Sequence, residues 1–126
     1  MSKSTELHEE QLSEKTHNIH RAIISLIEEL EAIDWYTQRV EACQDAQLQA
    51  VLKHNRDEEI EHASMTLEWI RRNFPKFNGA LKTYLFTSGD IIAIEKEAEE
   101  GGKEGQKNSG SSQTNRRFTV GEMKGS

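Results

Sequence analysis

The sequence predicts an all-α protein built on an antiparallel hairpin of two long helices, with short helices after it. Three observations lead to this prediction. The 126-residue chain contains one proline, Pro75. Apolar residues recur every three or four positions between about residues 10 and 73, which is the spacing of one helical face. Only the short polar stretch 42–47, ACQDAQ, interrupts that pattern, and so short a connection makes the two helices antiparallel neighbours.

The first long helix presents one apolar face. The second begins after Asp45, whose carboxylate is suited to cap the free N–H groups of its first turn. It ends near Asn73, because Pro75 disfavours helical backbone at Phe74. The residues that form the apolar face of the first helix are Ile19, Ile23, Leu26, Leu30, Ile33 and Val40.

The C-terminal third of the chain is predicted to contain short helices, then a linker, and then a terminal segment with apolar residues. Two short helices are predicted over residues 78–86 and 91–99, separated by a break at Ser88–Gly89. They complete a helical domain over residues 1–99. Residues 100–117 are rich in Gly, Ser, Asn and Gln and are predicted to form a flexible linker. Residues 118–126 carry three isolated apolar side chains, which indicates either a docking segment or a tail without function.

Composition narrows the classes of function. The net charge is −6, which disfavours nucleic acid as a partner and favours cations. Hydrophobic residues make up only 34% of the chain, so partner subunits are expected to supply burial that the monomer lacks. No apolar run approaches the roughly 18 residues of a membrane span, and no secretory signal is visible. We therefore expect a soluble, cytosolic protein, in which the single cysteine, Cys43, is a small residue near a helix end.

The segment RDEEIEH, residues 56–62, concentrates four carboxylates and a histidine on the second helix. Glu59 and His62 are three positions apart and therefore share a helix face. On the first helix, Glu29 falls on the apolar face, where a carboxylate is unfavourable unless it is paired or coordinated. The residues spaced around Glu29 on that face are Ala22, Leu26, Ile33 and Tyr36.

One inward Glu and one Glu-x-x-His are half of the ligand set that ferritin-like di-iron proteins place in a four-helix bundle. Two copies of the chain related by a two-fold axis would complete both the bundle and the set. Carboxylate and imidazole ligands suit Fe and Mn. The alternative is a solvated acidic face. The remaining histidines are weaker candidates: His54 as a polar bundle residue, and those near the N-terminus as exposed side chains, namely His8, His17 and His20.

Two strings are more specific than this pattern: LIEELEAIDWYTQRV at 26–40 and LKHNRDEEIEHASMTLEWIRRN at 52–73, with TYLF at 83–86. Together they resemble the encapsulated ferritins, prokaryotic ferritin-like proteins carried as cargo in encapsulin shells. The resemblance covers about residues 10–95. It implies a hairpin that dimerises into a ferritin-like four-helix bundle, and dimers that assemble into a ring-shaped decamer.

The resemblance also implies roles for individual residues. It places a ferroxidase centre at the dimer interface, where two Fe(II) ions would pass electrons to O2 before the Fe(III) is stored as mineral in the shell. The ligands contributed by both chains would be Glu29, Glu59 and His62. Tyr36 matches a tyrosine beside that centre. A second, outer metal site on the route of metal uptake matches Glu28, Glu31 and Trp35.

The end of the chain carries a resemblance of its own. Residues 118–124, FTVGEMK, are similar to the peptides that address cargo to encapsulin shells, with Phe118, Val120 and Met123 as apolar anchors and Glu122 where a serine is usual. This implies a location inside an encapsulin nanocompartment of the prokaryotic cytoplasm. The alternatives are a non-catalytic helical adaptor, or a ferritin-like protein that binds Mn or Zn without oxidase activity, tethered in the same shell.

Overall fold

The computed structural model describes residues 6–107, and the regular secondary structure of this part of the chain consists of helices without a strand. The four helices are α1 (Glu14–Ala42), α2 (Ala46–Asn73), α3 (Pro75–Tyr84) and α4 (Ile91–Lys107). The chain divides into two compact units, one ending at Leu81 and the other beginning at Lys82. No helix within residues 6–107 is long and apolar enough to cross a membrane. The predicted all-α fold is therefore confirmed.

Helices α1 and α2 form the antiparallel hairpin. They contain 29 and 28 residues, which makes each about 43 Å long. The Ser13 side chain accepts a hydrogen bond from the Thr16 N–H at the start of α1, and Asp45 accepts one from Leu48 at the start of α2, as predicted. The Gln49 amide of α2 donates to the Val40 carbonyl at the end of α1 over 2.7 Å, which fixes the antiparallel turn.

A tight corner separates α2 from α3. Helix α2 ends at Asn73, and Phe74 has extended backbone, with φ −137° and ψ 91°, because the following proline disfavours the helical region. The next helix begins at Pro75 itself rather than at residue 78 as predicted. Proline is well suited to the first helical position, because an N–H group there would have no hydrogen-bond partner within the helix.

Helix α4 is longer than the sequence predicted. The break around Ser88–Gly89 is present, and Asp90 caps the new helix by accepting a 2.9 Å hydrogen bond from the Ala93 N–H. The helix continues to Lys107 instead of ending at residue 99, so it enters the range assigned to the linker. This last part of α4 contains three glycines, Gly101, Gly102 and Gly105. Most residues around them are strong helix formers, which offsets their unfavourable helix propensity. Residues 108–117 of the linker and the whole segment 118–126 lie outside the described residues.

The hairpin buries little of its apolar surface. Among the described hydrophobic residues only Ala63 and Ile70 are buried. Large apolar side chains of both long helices remain exposed, including Leu30 at 53% and Met65 at 58%. A two-helix hairpin forms a single layer of secondary structure, and a second layer must pack against it to cover its apolar face. The exposed set on α1 and α2 is Ile23, Leu30, Trp35, Leu48, Val51, Ile60, Met65 and Trp69.

Candidate metal centre

Glu29 is the most unusual carboxylate of the hairpin. It is half-buried, as are the four residues spaced around it on the same face of α1. Its Oε1 atom is shielded from solvent and has no hydrogen-bond partner. A buried carboxylate oxygen without a partner loses the hydration that it has in water, at a cost of about 1–3 kcal/mol or more. The prediction that Glu29 lies on the apolar face is confirmed, and its free oxygen is suited to a positive ligand.

Glu59 and His62 form a pair one turn apart on α2. Oε1 of Glu59 lies 3.4 Å from Nδ1 of His62, and the two side chains are 29% and 47% exposed. Donor atoms that bind one first-row divalent ion at about 2.1 Å each are about 3.0–3.4 Å apart. The separation therefore suits a shared metal ion, whereas it is long for a hydrogen bond.

The packing of the hairpin brings Glu29 level with this pair. Ala22 and Ser25 of α1 line one cleft together with Thr66 of α2. Seven residues, about two turns, lead from Ala22 to Glu29 on α1 and from Thr66 back to Glu59 on the antiparallel α2. One turn leads from Ser25 to Glu29 and from Thr66 back to His62. The three predicted ligands thus occupy the same level of the hairpin.

The described part of one chain does not assemble a complete metal site by itself. Within residues 6–107 no three His, Cys, Asp or Glu side chains come together in an arrangement that could hold a metal ion. The described chain therefore presents Glu29 on one helix and the Glu59–His62 pair on the other as separate contributions. This agrees with the half-set of ligands counted in the sequence.

The predicted outer residues lie on the solvent side of α1. Glu28 and Glu31 are exposed, and the Trp35 indole is 51% exposed. Trp35 also lines a shallow hollow together with Gln38 and Arg39. These positions differ from that of Glu29 because residues 28 and 31 fall off the half-buried stripe, so the carboxylates of α1 separate into an inner and an outer set.

Tyr36 lies two turns beyond Glu29 on the same half-buried stripe. The guanidinium carbon of Arg39 is 5.3 Å from the centroid of its ring, within the range of a cation–π contact. The role of Tyr36 beside the centre stays a prediction, and its contact with Arg39 was not predicted from the sequence. The spacing of three residues between an aromatic and a cation on one helix was the available signal.

A second imidazole–carboxylate pair occurs on α2. Nε2 of His54 lies 3.5 Å from Oε1 of Glu58, with the side chains 70% and 48% exposed. This pair is more exposed than Glu59 with His62, and the role of His54 as a polar bundle residue stays a prediction. Of the histidines near the N-terminus, His8 is exposed as expected, but His17 and His20 are half-buried because α1 turns them towards its inner side.

The strongest charge pairing lies away from these carboxylates, at the corner between α2 and α3. The Arg71 guanidinium donates to both carboxylate oxygens of Glu68 at 2.7 and 2.8 Å and to the Asn78 side chain at 2.7 Å. Arg72 donates to Glu68 at 2.7 Å. Hydrogen bonds from Arg71 and then Arg72 lower the pKa of Glu68 to about 2. Glu68 is therefore committed to the corner and is not available as a ligand.

The helical region corresponds to a known family. The family model described as EncFtn-like matches residues 4–88, which contain α1, α2, α3 and the candidate ligands. The chain belongs to the EncFtn-like family. The family match thus covers the hairpin and the carboxylates of the candidate site, and the resemblance of the helical region to the encapsulated ferritins is confirmed.

Individual relatives agree with this family. The "Encapsulated ferritin-like protein" of Rhodospirillum rubrum is 62% identical over 94 residues, 75% of this chain and 67% of the relative. The "Ferritin-like protein" of Thermotoga maritima is 50% identical over 91 residues, 72% of this chain and 80% of the relative. The crystal structure of protein ne0167 from Nitrosomonas europaea is similar with a TM-score of 0.66 and 60% identity, covering 68% of this chain and 96% of that one.

Proposed function

We propose that the protein is a ferroxidase that oxidises Fe(II) to Fe(III) with O2 at a di-iron centre on the two-fold interface of a dimer. Membership of the EncFtn-like family and the ferritin-like names of two relatives support an iron-related function. The observation that carries the proposal is the free, buried Oε1 atom of Glu29, level with the Glu59–His62 pair. Iron is the substrate in this proposal.

A second copy of the chain would complete the centre. Two hairpins make four helices, and a two-fold axis supplies each ligand twice. The resulting set of two Glu and two Glu-x-x-His is the one that ferritin-like bundles use for di-iron sites. The exposed apolar side chains of both long helices, such as Leu30 and Met65, supply a reason for the two hairpins to associate.

The ligand types suit the oxidation of iron. Carboxylates are hard anions, so they stabilise Fe(III) more than Fe(II) and favour loss of the electron, while the imidazole of His62 suits either state. Each Fe(II) gives one electron to O2. Two ions and two protons yield hydrogen peroxide, and four ions and four protons yield two molecules of water. The protein provides the ligands and holds the ions close together.

The exposed carboxylates of Glu28 and Glu31, with Trp35, form the outer site in this proposal. Their negative charge raises the local concentration of cations at the surface of α1. Because both carboxylates are well exposed, they are suited to weak and reversible binding. They would deliver Fe(II) to the inner ligands rather than take part in the oxidation.

We also propose that the protein works inside an encapsulin shell in the prokaryotic cytoplasm, as a ring-like decamer of five dimers. The name of the Rhodospirillum rubrum relative, "Encapsulated ferritin-like protein", and the similarity of residues 118–124 to cargo peptides support this part. Residues 100–117 would connect the helical domain to that peptide. The shell would hold the iron mineral that the ring itself has no cavity to store.

The decisive experiment combines native mass spectrometry with oxygen uptake over a range of protein concentrations. We expect the O2 consumed per chain to rise with the fraction of dimer, and Fe(II) to promote association, because only the associated state has the full site. Verified monomers that oxidise Fe(II) as fast as dimers would disprove the shared centre. Metal binding without O2 uptake would indicate a protein that binds Mn or Zn. The absence of both metal binding and O2 uptake would indicate a non-catalytic adaptor.

A further inference from the structure

Arg39 makes a contact that the proposed centre does not explain. Its guanidinium carbon lies 5.3 Å from the centroid of the Tyr36 ring, one helical turn away on α1. An arginine over an aromatic face combines a planar stacking contact with attraction between its charge and the ring. The contact therefore restricts the rotation of the tyrosine side chain.

Hydrogen bonds from both long helices hold the backbone at the end of α1. The Arg39 carbonyl accepts a 2.9 Å hydrogen bond from the Cys43 N–H, which closes the last turn of α1. The Gln49 side chain of α2 donates to the Val40 carbonyl at 2.7 Å and to the Cys43 carbonyl at 3.2 Å. Gln49 thus ties the end of α1 to the start of α2, and Arg39 extends from a rigid position.

We propose that Arg39 is a positioning residue for Tyr36, which holds the phenol ring in one orientation on the stripe that it shares with Glu29. This inference rests on the proposed ferroxidase function. Tyr36 is two turns from Glu29, so a change in the rotamer of its long side chain would move the hydroxyl group by several ångströms. A ring held by Arg39 keeps that hydroxyl at a constant distance from the inner ligands.

A competing role for Arg39 is purely structural. A cation in the last turn of α1 interacts favourably with the negative end of the helix dipole, and this would need no tyrosine. Arg39→Lys keeps the charge at the helix end but loses the planar group, whereas Arg39→Gln loses both. Gln38→Ala is the matched control, since Gln38 lines the same shallow hollow and its side-chain amide donates to Asp34 rather than to Tyr36.

The orientation of the ring can be observed without iron. The chain has only two tyrosines, so full-length protein with 13C-labelled tyrosine rings gives two sets of NMR signals, which Tyr84→Phe assigns. We expect Arg39→Gln to shift and broaden the Tyr36 signals and to leave those of Tyr84 unchanged. Arg39→Lys should have a smaller effect, and Gln38→Ala none. Unchanged Tyr36 signals in Arg39→Gln would overturn the inference.

Ferroxidase kinetics on the same variants test the role. We expect Arg39→Gln to lower kcat about two- to fivefold, the change that corresponds to a weak surface cation–π contact. The Fe(II) concentration at half-maximal rate should not change, and Arg39→Lys should recover part of the rate. Normal kcat with disturbed Tyr36 signals would overturn the positioning role. A wild-type protein that does not oxidise Fe(II) would refute the proposed function instead, while the ring signals would still decide whether the contact exists.

Discussion

Oε1 of Glu59 and Nδ1 of His62 lie 3.4 Å apart on one face of α2, a separation that suits two atoms bound to the same ion. The pair formed by Glu58 and His54 on the same helix has nearly the same separation, 3.5 Å. Distance alone therefore does not separate a ligand pair from a surface pair. What separates them is burial and the presence of Glu29 at the level of Glu59 and His62.

The two histidines provide a matched test of the centre. We expect His62→Ala to reduce the rate of Fe(II) oxidation at least a hundredfold, because the loss occurs twice in each symmetric site and a displaced ion is poorly held for reaction. We expect His54→Ala to leave the rate within twofold of wild type. Oxygen uptake after addition of Fe(II) measures both, and equal effects of the two substitutions would contradict the assignment.

Glu29 should show a trade-off between stability and activity. Its buried Oε1 atom has no partner, so Glu29→Leu removes an unfavourable desolvated charge from an apolar stripe. We expect the metal-free protein to gain about 1 kcal/mol in its free energy of unfolding, measured in urea at fixed protein concentration, and to lose Fe(II) oxidation.

The comparison variant for that experiment is Glu28→Leu, on the exposed side of the same turn. It should not stabilise the metal-free protein, because an exposed carboxylate keeps its hydration. A loss of stability in Glu29→Leu, with activity retained, would mean that this half-buried carboxylate makes a contact of structural importance rather than binding metal.

The outer carboxylates should act on delivery of iron. Replacing Glu28 and Glu31 together with alanine should raise the Fe(II) concentration needed for half-maximal rate several-fold, because fewer cations gather at the surface of α1. The metals bound by the inner ligands should remain visible in a crystal structure with Fe(II). Glu41→Ala, an exposed carboxylate further along α1, is the control. Loss of the inner metals in the double variant would show that the two sets were confused.

Much of the hairpin follows from local chemistry that the sequence displays. Pro75 sets the end of α2, Asp45 caps its start, and the helical period places Glu29 on the half-buried stripe. The start of α3 was missed because a proline can open a helix as well as end one. The length of α4 was missed because its three glycines act against strong helix formers, and the sum of such small propensities decides the result.

The helix faces of the candidate ligands could be predicted from the sequence, but the side-chain contacts around them could not. Periodicity identifies the faces of Glu29, Glu59 and His62, since it depends only on spacing. The contact of Arg39 with Tyr36 depends on side-chain rotamers, which spacing leaves open. The pairing of Glu68 with two arginines likewise competes with other i,i+3 and i,i+4 partners on a helix crowded with charges.

The end of the chain should act as the address for encapsulation. Deleting residues 118–126 should abolish co-purification with a co-expressed encapsulin shell and leave Fe(II) oxidation by the free protein unchanged. A short peptide binds weakly by itself, but an oligomer presents several copies, and this raises the overall affinity. Deletion of Gly125 and Ser126 alone is the control and should preserve loading. Continued loading of the longer truncation would show that residues 118–124 are not the address.

Glu68 should make the corner between α2 and α3 sensitive to acid. Its pKa is lowered to about 2 in the folded protein from 4.5, so the folded state favours the ionised form. A carboxylate whose pKa is lowered on folding stabilises the folded state fully at pH values above its unfolded pKa. This stabilisation is lost as the pH falls from about 4.5 to about 2.

Glu68→Gln should therefore lower the thermal midpoint at pH 7, and the difference in midpoint from wild type should shrink over that pH range. Thermal unfolding at pH 7, 4 and 2.5, with the exposed Glu61→Gln as the control, measures this difference. A constant difference at all three values would show that the ionised carboxylate does not stabilise the corner through Arg71 and Arg72.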